Sequence, residues 1–83
     1  MKIYDYNGKK NICGERIKAL RRKAGLSQEN LAAKLQVEGV EIERDSVSRI
    51  EIGTRFVADY ELRVIAKIFG VSTDYILSIC DEK

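Results

Sequence analysis

Apolar residues recur along this chain at helical spacing, in short stretches separated by glycines and capping residues. Cys13, Ile17, Leu20 and Ala24 follow at intervals of four, three and four, which sets them on one stripe of a helix over about Ile12 to Ala24. Asn11 is placed to cap the start of that helix and Gly25 to end it in a left-handed conformation. A second helix begins after Ser27, with Leu26 and Leu31 spaced as a hydrophobic staple across the cap. Leu31, Ala32 and Leu35 form its inner face, and Gly39 is its stop. Val40 to Glu43 links to a third helix over about Arg44 to Ile52, in which Val47 and Ile50 turn inward while Asp45, Ser48, Arg49 and Ile52 share the outer face. Gly53 ends it.

A fourth helix over about Asp59 to Phe69 carries Leu62, Ile65, Ala66 and Phe69 as its apolar stripe, and Gly70 closes it. The fifth starts at Ser72, with Val71 and Ile76 as a second staple, and bears Tyr75, Ile76, Leu77 and Ile79. The fold class is therefore all-α. Residues 1–10 form an arm in which Asn7-Gly8 signals a turn; a short strand and disorder are both open there. Residues 11–80 are the helical domain and 81–83 a fraying tail.

Composition narrows the function classes. Eighty-three residues suffice for one small core. No apolar run is long enough to span a bilayer, and no leader pattern opens the chain, so a cytoplasmic location is expected. Cys13 and Cys80 lack metal-ligand spacing and there is no histidine; free thiols, no metal and no cofactor are expected. Without a histidine, a metal cluster or a glycine-rich phosphate loop there is no catalytic set, so the chain is not expected to be an enzyme. The net charge of +2 is uninformative, but its distribution is not: residues 9–34 hold eight basic and two acidic side chains, residues 35–83 six basic and ten acidic. A basic half suits a partner carrying phosphates.

Three blocks of sequence are more specific: Gly25-Leu26-Ser27-Gln28 running on to Leu31-Ala32 and Leu35, then Ser48-Arg49-Ile50-Glu51-Ile52-Gly53, then Ala66-Lys67 followed by Gly70-Val71. Together they resemble the Cro/repressor (XRE-type) helix-turn-helix family over about Gly14 to Leu77. The resemblance implies a lambda-repressor-like fold of five short helices that binds double-stranded DNA as a small transcriptional regulator, a repressor, with the third helix in the major groove. It implies base-reading roles for Arg44, Asp45, Ser46 and Arg49 and phosphate contacts for Arg16, Gln28, Thr54 and Arg55. Arg49 suits guanine O6 and N7, and Asp45, four residues earlier, is placed to pair with it along the helix. Arg21 and Glu51 stand where some relatives join the first and third helices by an ion pair. The resemblance also implies a homodimer on two half-sites, and nothing appended to the helices would receive a small-molecule effector.

The chain departs from the family in its longer link between the second and third helices, which includes Glu38, Gly39, Val40, Glu41 and Ile42. Two caps are weak: Glu43 precedes the third helix and Ala58 the fourth, where Asp59 is the alternative cap. Glu38, Glu41, Glu43 and Asp45 gather just before the reading surface, which keeps a second reading open: a protein-interaction module of antitoxin or anti-repressor type that docks through this acidic loop.

Overall fold

A computed structural model describes residues 5–83; the first four residues of the expected arm lie outside it. The element order is α1 (Gly14–Lys23), α2 (Gln28–Val37), α3 (Arg44–Ile52), α4 (Asp59–Phe69) and α5 (Thr73–Ile76). Among the described residues the only β pairing is a single antiparallel bridge between Tyr6 and Lys9.

The first helix begins two residues later than the apolar stripe suggests. Asn11 lies upstream of the start and its Oδ1 accepts from Gly14 N–H at 2.9 Å, while its Nδ2 donates to the carbonyls of Ile50 at 3.0 Å and Arg55 at 2.8 Å. The cap position is Cys13 and not Asn11, and the Asn11 side chain instead takes up the first N–H of α1 and ties it to the end of α3. Ile17 and Leu20 are buried as expected, but Ala24 is exposed: α1 ends at Lys23, and Ala24 already belongs to the turn completed by Gly25. At α2, Ser27 Oγ accepts from Asn30 N–H at 3.0 Å and Asn30 Oδ1 accepts from Ser27 N–H at 3.2 Å. This reciprocal cap satisfies two of the donors that a helix start leaves open.

The longer link is folded into the core. Gly39 takes a left-handed φ of 89°, and Val40 N–H returns to Leu35 C=O at 2.9 Å. Val40 and Ile42 are then buried among Leu31, Leu35 and Val47, with Glu41 and Glu43 left outside. Gln36 Nε2 holds the link by donating to Ile42 C=O at 2.7 Å.

Glu43 makes no side-chain cap on α3, in line with the weak cap expected there. At α4 the cap position is Ala58 and not Asp59; Glu61, in the first turn, accepts from Ala58 N–H at 2.9 Å and supplies what Ala58 lacks. The fifth helix is a single turn, shorter than its apolar run suggests. Ser72 Oγ caps it through Tyr75 N–H, and Ser78 turns left-handed with φ 61°, which leaves Ile79 exposed. The core that results unites Ile17 and Leu20 of α1, Leu31 and Leu35 of α2, Val47 and Ile50 of α3, Ile65 of α4 and Ile76 of α5.

Candidate nucleic-acid interface

Helix α3 buries Val47, Ile50 and Glu51 and turns Arg44, Asp45, Arg49 and Ile52 outward, with Ser46 and Ser48 half-buried at the edges of that face. The outer face is polar at its start and apolar at its end, where Ile52 is 61% exposed. Arg44 Nη2 approaches Asp45 Oδ1 at 3.4 Å, with both side chains about two-thirds exposed. The expected Asp45–Arg49 pair is not formed: Asp45 leans to its neighbour, and Arg49 is exposed and outside every ion pair among the described residues. A guanidinium in that setting has its five donors available to a ligand.

The angle of this face is set from beneath. Glu51 is almost wholly buried, and Arg21 of α1 meets it with two bonds, Nε to Oε2 at 2.6 Å and Nη2 to Oε1 at 3.0 Å. Arg21 Nη1 donates to Leu26 C=O at 2.8 Å, in the turn before α2. Gln28, the first residue of α2, donates Nε2 to the same Glu51 oxygen at 3.1 Å. Three helices therefore converge on one carboxylate, and the hydrogen bonds that Arg21 donates to Glu51 raise the Arg21 pKa above its ordinary value despite opposing desolvation. Breaking a buried, fully bonded pair of this kind costs about 3–5 kcal/mol because it strands a charge. The helix 1–helix 3 pair anticipated in the sequence is present, and Gln28 braces it through Glu51. An amide nitrogen carries two hydrogens, so Gln28 keeps one donor, and its oxygen, beyond the bond to Glu51.

The other expected phosphate contacts are arranged differently from one another. Thr54 is exposed directly after α3, its N–H bonded to Arg49 C=O at 2.9 Å. Arg55 forks onto Glu61 at 2.9 and 3.1 Å and also donates to Phe56 C=O at 3.0 Å. Burial pushes the Glu61 carboxyl upward, but the bonds from Arg55 and from Ala58 N–H outweigh it and hold the pKa below the ordinary glutamate range. Arg16 lies away from α3: it stacks on the Tyr75 ring of α5 at 4.3 Å from the centroid, donates to the carbonyls of Tyr75 at 2.8 Å and Cys80 at 3.0 Å, and meets Asp81 at 2.7 Å. Its guanidinium fastens the C-terminal segment to α1.

Two short helices, α2 and α3, are joined by the link that carries Val40 and Ile42, and the second is exposed along one face. Residues 13–76 match the family described as a helix-turn-helix domain. The chain belongs to this helix-turn-helix family. Its members are XRE-like regulators, and a helix-turn-helix domain points to DNA binding. Comparison with curated proteins finds no match. The helix-turn-helix match opens at Cys13, the buried residue at the cap of α1, and closes at Ile76, the last residue of α5, so all five helices fall within it. Among the described residues no helix is long and apolar enough to cross a membrane.

The cysteines are both free, and burial pushes the Cys13 thiol pKa upward, away from reactivity. What the sequence did not signal as part of this site is the segment before α1. Asn7 and Gly8 take left-handed φ values of 52° and 79° and close a two-residue hairpin between Tyr6 and Lys9, and Lys10 N–H donates to Gly53 C=O at 2.8 Å. The Asn-Gly pair was the legible signal; its docking on the end of α3 was not.

Proposed function

We propose that this domain is a sequence-specific reader of double-stranded DNA and acts as a small transcriptional repressor in the cytoplasm, with α3 in the major groove. The observation that carries this reading is the exposed, unpaired guanidinium of Arg49 on the outer face of a helix whose inner face is fixed by the Arg21–Glu51–Gln28 bonds. Arg49 is assigned to guanine, and Arg44, Asp45 and Ser46 to neighbouring base edges. Asp45 suits cytosine N4, an assignment that also offsets part of the repulsion between a carboxylate and the duplex. Gln28 and Thr54 are assigned to backbone phosphates, Gln28 through its remaining amide hydrogen and the α2 N-terminus. Arg55 and Arg16 each use three of five donors within the chain, so they hold the fold first and offer a phosphate only their remaining N–H groups. The reader binds as a homodimer on two half-sites.

Selection of duplexes from a random pool, followed by titration of the enriched sequence at two salt concentrations, tests the reading. A half-site consensus whose affinity falls steeply with salt is expected. Arg49→Ala should weaken binding to that consensus by about 1–3 kcal/mol and relax preference at one base pair. No enrichment at low salt would overturn the DNA reading. The outward Glu41 and Glu43 of the α2–α3 link would then identify a basic protein partner as the next ligand to try.

A further inference from the structure

A helix presents its negative end at its C-terminus, and in α3 that end lies beside Thr54, where the reading above places a phosphate. Left bare, it would repel the duplex. It is not left bare. Ile50 C=O receives Asn11 Nδ2, Gly53 C=O receives Lys10 N–H, and Arg49 C=O receives the N–H groups of Gly53 and Thr54. The same segment delivers cationic side chains to this end. The stem of Lys9 crosses Gly53 so closely that a β-carbon there would lie 2.8 Å from Lys9 Cδ. Lys10 Nζ sits over the Phe56 ring, 5.2 Å from its centroid.

We propose that the Tyr6–Lys9 hairpin is a second DNA-contacting element, which covers the carbonyl end of α3 and sets Lys9 against a backbone phosphate flanking the base pairs that α3 reads. This rests on the DNA reading above. The ammonium of Lys9 has a loose carboxylate partner, Glu15 Oε1 at 3.8 Å, with the two side chains 48% and 87% exposed. An exposed pair at that distance is weak, and a phosphate displaces it readily. The hairpin is rigid where it matters: the bonds between Tyr6 and Lys9 are 2.6 and 3.0 Å, and the Lys10–Gly53 bond fixes its root to the end of α3. Contacts of this kind carry no sequence information but set the register of the reading helix.

The test is fluorescence anisotropy of the selected duplex over a series of salt concentrations, with thermal midpoints measured in parallel. Lys9→Gln should make the slope of log K against log salt shallower by about one, with the preferred sequence unchanged, and Lys9→Arg should keep the wild-type slope. Glu15→Gln, which removes the competing carboxylate away from Gly53, should tighten binding at every salt concentration. A wild-type slope in Lys9→Gln would overturn the hairpin contact and leave the DNA reading standing. Should Lys9→Gln melt early, Glu15→Gln decides, and unchanged affinity there overturns the proposal. A wild-type protein that binds no duplex overturns both.

Discussion

A β-carbon on Gly14 would run into the carbonyl oxygen of Ile50, and because that oxygen is backbone it has no rotamer by which to move aside. At Gly14 α1 and the end of α3 therefore approach closely, and Asn11 bonds across the same junction. Alanine in a helix interior gains up to about 1 kcal/mol over glycine, and less at a first turn. Overpacking against fixed backbone costs about 1–3 kcal/mol. The steric effect wins, so Gly14→Ala should lower stability by about 1–2 kcal/mol in urea unfolding; a variant as stable as the wild type would show that the junction is looser than described. The same scale explains which site residues were legible. Arg49 was readable because its placement needs only the period of its own helix. Arg16 and Arg55 matched phosphate-contact positions by resemblance, but their surroundings depend on Asp81 and Glu61, brought to them by the tertiary fold. Local spacing fixes which way an arginine leaves its helix; it does not reveal which carboxylate arrives there.

Glu61 joins the segment between α3 and α4 to the start of α4, beside the bond that Asn11 makes to Arg55 C=O. Glu61 caps α4 in place of the missing side-chain cap at Ala58 and clamps Arg55, so the loop that carries Thr54 is anchored at its far end. Its folded-state pKa lies below the ordinary glutamate value, and its contribution to stability is thus present above that value and is lost as pH falls through the folded one. Unfolding midpoints in urea should drop between about pH 5 and about pH 3, and Glu61→Gln should flatten that dependence while starting from a lower midpoint near neutrality. An unaltered pH profile in the variant would refute the assignment. The link between α2 and α3 teaches a complementary lesson. Val40 and Ile42 alternate with Glu41 and Glu43, and a period of two marks extended chain with one face buried. The pattern was visible in the sequence, but a stretch of four residues after a glycine reads as a loop unless something for it to pack against is already known. That something is the core to which Leu35 and Val47 also belong.

At the scale of the whole molecule, size sets how two copies share a duplex. The domain measures 36 × 28 × 20 Å, and one turn of B-DNA is about 34 Å. Two copies on half-sites one turn apart on the same face of the duplex would therefore sit edge to edge, with little space between them. Arg16, Arg21, Arg55 and Lys67 each meet a carboxylate, so these four cations contribute less to a phosphate partner than the rest of the chain's fifteen. For a single copy the salt slope should be about −0.9 for each phosphate neutralised. Pairing two copies on one duplex adds the phosphate contacts of both. Inserting about half a helical turn between half-sites rotates the second copy to the opposite side of the duplex, where it cannot touch the first. Titration of duplexes whose half-site centres are about 10, 15 and 20 base pairs apart should give cooperative, two-to-one binding at the first spacing and independent binding at the second. The salt slope at the first spacing should be about twice that for one half-site. Affinity and stoichiometry that do not vary with spacing would mean that each copy reads alone.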